Sequence, residues 1–268
     1  MKNTRIYTIA LVILTLSTGS LVAQSPKGMS FNGATGLYSI PLGRVGWEQG
    51  SNIGIDFGYS LIVGEGNITH TPKAAITLFG FWELNFALDI QPPHPDPNNS
   101  NTHIIFGTKF QFPTNDRVAV SLGGNYQLLR NGADPAHDNA GHIYLAMTYS
   151  SRFFEWPVET TVVLGYTVGK SLPNGNIDYG MGFSLALLPN VFQNMIHLIV
   201  DFSNYTYVVL PPAYALNTER GILNTGFRID FASIIRQPRF KFALDVLMTD
   251  AFDDNRGLSL GGVFGFRL

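Results

Sequence analysis

Three sets of side chains in this 268-residue chain are of types that do chemistry. Ser121, Asn125 and His142 are the hydroxyl, amide and imidazole of a hydrolase set. Nucleophilic catalysis needs the serine within hydrogen-bond reach of the imidazole, and a third group to orient that imidazole. His197 and Asp201, four residues apart, offer two metal ligands, whereas a metal site needs more. Asp250, Asp253 and Asp254 cluster carboxylates, as calcium prefers, without the spacing of a known calcium loop.

The elements that must position these groups argue against all three sets. From Arg117 the chain alternates Val118, Val120, Leu122, Gly124, Tyr126 and Leu128 against Ala119, Ser121, Gly123, Asn125 and Gln127. Alternation with period 2 is the signature of a strand with one apolar and one polar face. It sets Ser121 in mid-strand and His142 near the loop end of the next strand, several residues apart along the barrel. Ser121, Asn125, His142, His197 and Asp201 therefore read as polar wall residues, and Asp250, Asp253 and Asp254 as a solvated loop. We expect no catalytic residues, no bound metal and no cofactor. The Gly-rich stretches precede no helix, so they make no phosphate cradle.

The same alternation recurs along most of the chain. It predicts twelve strands, near 50–63, 70–79, 81–91, 102–112, 117–130, 141–151, 157–168, 178–188, 195–204, 219–231, 239–249 and 257–268. The second is the weakest, because Lys73 to Phe79 alternates poorly. About ten residues per strand suffices to cross a bilayer at a tilt. Odd-numbered connections such as 92–101, 131–140, 169–177 and 205–218 are long and polar. Even-numbered ones, such as Phe79-Gly80-Phe81, Pro113 to Asp116 and Pro189-Asn190, are mostly tight. Long outer loops and short periplasmic turns are the habit of outer-membrane barrels.

Composition points to the same class. Charged residues make up 13% of the chain, about half the ~25% of soluble proteins. No apolar run after the N-terminus reaches the length of a spanning helix, which leaves the closed sheet as the structure that lipid tolerates. Lys2 and Arg5, the apolar run Ile6–Leu16 and Leu21-Val22-Ala23 read as a signal peptide over 1–23, cleaved near Ala23. Without its two basic residues the mature chain carries 15 basic and 19 acidic side chains, a net charge of −4, which offers nucleic acid nothing. The expected fold is all-β: a single up-and-down antiparallel transmembrane β-barrel of about 12 strands over 50–268, in the bacterial outer membrane. Oligomeric state is not legible.

Aromatics gather where strands meet the short turns, among them Phe79, Phe81, Trp82, Phe110, Phe112, Phe153, Phe154, Trp156, Phe240 and Phe264, in the manner of an interfacial girdle. The chain stops inside a strand whose apolar face carries Leu258, Leu260, Phe264, Phe266 and Leu268. This ending resembles the C-terminal signal that outer-membrane proteins present to the barrel insertion machinery. The family usually ends in an aromatic residue, and here Leu268 stands two places after Phe266. The resemblance implies outer-membrane lipid and that machinery as partners.

Residues 24–49 lie outside the strand pattern and read as a strap or plug in the barrel mouth. Gly33-Ala34-Thr35-Gly36-Leu37-Tyr38-Ser39-Ile40-Pro41 also resembles the Gly-x-x-Gly-Leu-x-x-x-Pro start of barrel repeats in the YjbH-like family, linked to exopolysaccharide export. That resemblance implies a place near polysaccharide secretion.

The polar strand faces should line the lumen. They carry the acids Asp56, Glu83, Asp89, Glu159, Asp178, Asp201, Asp230 and Asp245, with His197 and the cations Lys109, Arg228 and Lys241, joined by Lys73. Glu83 with Lys109, and Asp230 with Lys241, are expected to pair across hairpins. The remainder leans acidic, which favours cations in a wet pore. The expected function is a small passive pore for small solutes with mild cation preference. The alternative is a non-conducting structural or partner-binding barrel of an envelope secretion or exopolysaccharide-export assembly, with 24–49 or 205–218 as its contact.

Overall fold

The computed structural model describes residues 27–48, 53–64, 67–91, 102–129, 138–169, 177–207, 221–232, 239–252 and 256–268. The expected signal peptide 1–23 and most of the long connections fall outside them. Two short strands come first, β1 (Gly28–Met29) and β2 (Thr35–Gly36). The wall follows: β3 (Ile53–Gly64), β4 (Asn67–Leu78), β5 (Trp82–Ile90), β6 (Thr102–Phe112), β7 (Val118–Leu129), β8 (Asp138–Phe153) and β9 (Trp156–Gly169). It continues with β10 (Ile177–Ala186), a four-residue helix α1 (Pro189–Phe192), β11 (Ile196–Ser203), β12 (Ile222–Asp230), β13 (Phe240–Thr249) and β14 (Gly257–Arg267).

Each wall strand pairs antiparallel with its sequence neighbours, and β14 pairs back onto β3, so the twelve strands close. The closing seam runs from Leu258 opposite Val63 to Arg267 opposite Gly54, and the Leu268 amide donates to the Ile53 carbonyl at 3.0 Å. Closure leaves no wall edge unpaired, the condition for crossing a bilayer with strands.

Period 2 decides which side chains face lipid. On β5, Glu83, Asn85, Ala87 and Asp89 are buried, while Trp82, Leu84 and Phe86 are exposed on the outside. The other strands follow this rule, including β14 with Leu258, Leu260 and Phe264 outward. The aromatics form a belt at the short-turn end. Phe81 meets Phe110 edge-on at 5.2 Å, Phe110 meets Phe112 at 5.7 Å, and Phe153 meets Phe154 at 4.8 Å. Apolar outer faces and an aromatic belt place the barrel in the outer membrane as an integral protein.

Turn chemistry explains the short end. Leu78 pairs with Trp82 across the three residues Phe79, Gly80 and Phe81, and Phe79 and Gly80 both have positive φ, 56° and 73°, inside the turn that the Phe81 amide closes on the Leu78 carbonyl. Phe154 has φ 56° in the other tight hairpin, which Phe153 opposite Trp156 closes.

Most boundaries fall within three residues of the sequence expectation, and three of the shifts have a physical reason. β4 starts at Asn67, because Thr69 and Thr71 turn inward while Ile68, His70 and Pro72 face out, an outer face too mixed to read as apolar. Pro72 has no N–H to give, and the β4–β5 ladder skips from His70–Ile90 to Lys73–Ala87. β8 runs on to Asp138, opposite Leu129, so polar residues expected in a loop extend the wall. β10 ends at Ala186, since Leu188 has φ 43° and Pro189 opens α1.

The apolar core lies inside the bore. It joins Phe31, Leu37, Tyr38, Ile40 and Leu42 of the N-terminal segment to inward wall residues such as Ile62, Ile105, Tyr144, Ile199 and Leu247.

Candidate functional site: the filled lumen

The wall supplies a wide bore because many of its inward residues are small: Ala75, Ala87, Ala119, Ala146 and Ala186 among them. Residues 27–48 occupy the room this leaves. β1 pairs with β2 through Gly28–Gly36 and Met29–Thr35, so the segment folds back on itself, and Lys27 returns to within 2.8 Å of Glu48. Gly33, at φ 85°, lies against the Phe86 backbone, where any Cβ would collide. Gly43 does the same against Ala119 and Thr148.

Charged wall residues hold this segment mainly by its backbone. Glu83 accepts the Thr35 amide (2.8 Å), the Thr35 hydroxyl (2.6 Å) and the Gly46 amide (2.8 Å). Lys109 donates to the carbonyls of Thr35 (3.0 Å) and Arg44 (2.8 Å). Asp201 accepts the amides of Tyr38 (2.6 Å) and Ser39 (2.9 Å), and the Ser39 hydroxyl (2.7 Å). Arg228 grips Asp245 through two nitrogens, at 2.7 and 2.9 Å, and donates a third N–H to Gly36. Glycine at 28 leaves room for that guanidinium.

The segment brings its own charges to the short-turn end. Arg44 contacts Glu48 (3.2 Å), Glu159 (3.3 Å), the Ser150 hydroxyl and the Asp116 carbonyl. Gln111 donates to Glu48 and accepts from the Val45 amide. Burial alone pushes the Glu48 carboxyl up, but the Lys27 and Arg44 cations beside it outweigh burial and hold it at about 2. Trp47 donates to Asp56 (3.0 Å), and Lys241 lies 4.7 Å above its ring.

From the other end, Tyr205 and Tyr207 drop into the bore from the connection that follows β11, and both are buried. The Tyr207 hydroxyl accepts from Asn125 (2.9 Å) and lies 2.5 Å from His142 Nδ1. The Tyr207 carbonyl accepts from Gln127 at 2.5 Å.

The residues singled out as lumen-lining fall as follows. Asp56, Glu83, Asp89, Lys109, Glu159, Asp178, His197, Asp201, Arg228 and Asp245 are buried on inward faces. Lys241 is slightly more open, and Asp230 sits at the short-turn rim, accepting the Ala232 amide. Glu83 and Lys109 do pair, at 3.1 Å. Lys241 does not go to Asp230: register sets Asp230 opposite Ala243, and the ammonium reaches Asp56 at 2.9 Å instead. His197 and Asp201 part company, His197 toward Ser184 and the Asn194 carbonyl, Asp201 toward the segment. Ser121 faces the Leu42 carbonyl at 3.4 Å, while His142 stands opposite Asn125. Asp253 and Asp254 lie outside the described residues, among which no three His, Asp or Glu gather as a metal site.

Sequence reasoning passed over Lys27, Arg44, Glu48, Trp47 and the two loop tyrosines. The available signal was charge balance: a wall with surplus carboxylates wants cations, and the unassigned segment carries two.

No family model and no curated protein matches the chain. Solved structures do. The KdgM porin superposes with TM-score 0.51 at 8% identity, covering 79% of this chain and 99% of that one. The NanC porin gives 0.51 at 11%, covering 80% and 100%. The KdgM porin in complex with disordered oligogalacturonate gives 0.50 at 8%, covering 80% and 99%. In fold, the chain is a closed twelve-stranded antiparallel β-barrel similar to these porins. At these identities the likeness lies in the fold, and it spans nearly the whole of each neighbour. Inside this barrel, residues 27–48 stand apart from the wall and fill it.

Proposed function

We propose that this barrel is a small-solute channel that residues 27–48 close from the periplasmic end. One observation carries the reading. The wall leaves space inside, with alanine at several inward positions among larger residues such as Tyr144 and Arg228, and that space is filled by a segment that no disulfide ties to the wall. A purely structural barrel has no need of a wide bore and a separate filler. The segment leaves the barrel at the short-turn end, so it can withdraw without breaking a wall strand. The porins that share the fold support the same reading.

A mild cation preference follows from what is left over. Glu48, Asp56, Glu83, Glu159 and Asp245 are in ion pairs with Lys or Arg. Among the described residues Asp89, Asp178 and Asp201 are not, against one buried cation outside an ion pair, Lys73, so the path keeps a negative balance.

The chain has no cysteine, which allows a clean test. The Ser39 and Ser203 hydroxyl oxygens are 3.3 Å apart, one on the segment and one on the wall. Ser39→Cys with Ser203→Cys should form a disulfide that pins the segment. In planar bilayers we expect conductance from the reduced protein and none after oxidation, with reversal potentials in a salt gradient favouring cations. Equal conductance in both states, or none in either, rejects the channel closed by this segment.

A further inference from the structure

We propose that the outer part of the bore is a recognition site for a neutral polyhydroxylated solute, an oligosaccharide in chemical class, and that Tyr205 and Tyr207 occupy it as internal stand-ins. The proposal deepens the channel reading and rests on it. His142 and Tyr144, two apart on β8, form the back of the site. Each ring lies over a glycine: an added Cβ at Gly165 would meet the His142 imidazole, and one at Gly123 the Tyr144 ring and hydroxyl. Glycine there lets both rings lie against the wall, where they serve as surfaces for stacking. Asn125 and Gln127 stand beside them, two apart on the inward face of β7.

The loop tyrosines use these groups as a sugar does. The Tyr207 hydroxyl accepts from an amide and shares a second hydrogen bond with an imidazole nitrogen, and a sugar hydroxyl, donor and acceptor at once, can take both places. The Tyr205 ring covers the imidazole at 4.8 Å, as an apolar sugar face does. The stand-in satisfies only part of the site. The Tyr144 hydroxyl, the Tyr205 hydroxyl and Asp178 Oδ1 are buried without a hydrogen-bond partner, and His142 Nε2 has only the Asp178 carboxylate, 3.6 Å away. Buried polar groups are ordinarily paired, and an unpaired set of both donors and acceptors is what a ligand with several hydroxyls completes. Charge selects against the other classes. Among the described residues no Lys or Arg joins these contacts, so an anion finds no counter-charge there, and a single carboxylate, Asp178, is too few oxygen ligands for a cation.

Equilibrium binding to the refolded full-length barrel in detergent tests this without relying on conductance. The probes are maltotriose, cellotriose and chitotriose, with trigalacturonate as the charged control. We expect at least one neutral trisaccharide to bind and the control to bind more weakly. Tyr207→Phe deletes the competing hydroxyl and should tighten binding about fivefold, and Tyr205→Leu should shift it the same way. Asn125→Ala removes a site donor and should weaken binding roughly tenfold. A barrel that conducts but binds no neutral probe, or in which Tyr207→Phe and Asn125→Ala shift affinity in the same direction, overturns the site and leaves the channel standing. Binding with the expected opposite shifts in a barrel that never conducts overturns the channel and leaves the site.

Discussion

The Lys109 ammonium lies 3.1 Å from the Glu83 carboxylate, and each half of this ion pair also holds both arms of the N-terminal segment. Glu83 takes the amides of Thr35 and Gly46, and Lys109 takes the carbonyls of Thr35 and Arg44. Lys109→Met leaves a buried carboxylate without its counter-charge, at a cost of about 3–5 kcal/mol. Glu83→Gln with Lys109→Met removes both charges and keeps one acceptor for the segment. We expect the double variant to unfold at higher denaturant than Lys109→Met alone, a coupling that a double-mutant cycle measures. Additive losses would mean that the pair does not act as a unit.

How far the sequence carries depends on the range of the interaction. Strand faces follow from neighbours two apart, so the inward Glu83, Asp89 and Asp201 and the outward Phe86 and Phe264 can be read directly. Pairing across a hairpin needs only register, and Glu83 with Lys109 was legible for that reason. Asp230 with Lys241 failed on the same reasoning, because Lys241 crosses the closing seam to Asp56 on β3, 185 residues away in sequence. Partners that meet only when the barrel closes leave no local mark. The Gly-rich stretch 33–41 stood out as foreign to the strand pattern, but its partners did not, because the wall holds it by backbone amides that any residue type supplies.

The clasp of Lys27 and Arg44 on Glu48 gives the segment a defined response to acid. The Glu48 carboxyl titrates at about 2 against an ordinary 4.5. A depressed carboxylate contributes stability above its unfolded value, and that contribution disappears as pH falls through the folded value. Trp47, buried next to this clasp, reports on it once Trp82 and Trp156 are replaced by Phe. We expect Trp47 emission to stay blue-shifted from pH 7 down to about 4 and to shift red only as pH approaches 2. The Glu48→Gln variant should show the red-shifted emission already at neutral pH. A wild-type transition centred at the ordinary carboxyl value, or no difference between the two proteins, would show that the clasp does not fasten the segment.

The two ends of the barrel should differ in accessibility from outside the cell. Asn115 and Asn190 are exposed in the short connections at the aromatic end, where the segment also leaves. Phe252 is exposed in the β13–β14 connection at the opposite end. Single cysteines at 99, 133 and 252 should react with a membrane-impermeant maleimide on intact cells. Those at 115 and 190 should react only after the outer membrane is opened. Equal labelling at both ends would contradict the orientation.

The seam between β14 and β3 carries the closure of the whole wall. Phe264 stands opposite Phe57 and Phe266 opposite Ile55, and the Leu268 amide reaches Ile53. Deleting residues 264–268 strips partners from the lower half of β3 and from the start of β13, which pairs Phe240 with Phe266 and Phe242 with Phe264. The freed N–H and C=O groups would then face lipid, where each unsatisfied group costs several kcal/mol. The loss exceeds what one hydrophobic contact supplies, so the truncated chain should fail to give a heat-modifiable, membrane-inserted form. Phe264→Leu with Phe266→Leu is the control, since it keeps every backbone pair and an apolar outer face. That variant should insert, more slowly if the aromatic rings serve the insertion machinery. Insertion of the truncated chain with normal heat-modifiability would show that the barrel does not close through this strand, and failure of both would place the defect in recognition of the aromatic rings and not in the lost ladder.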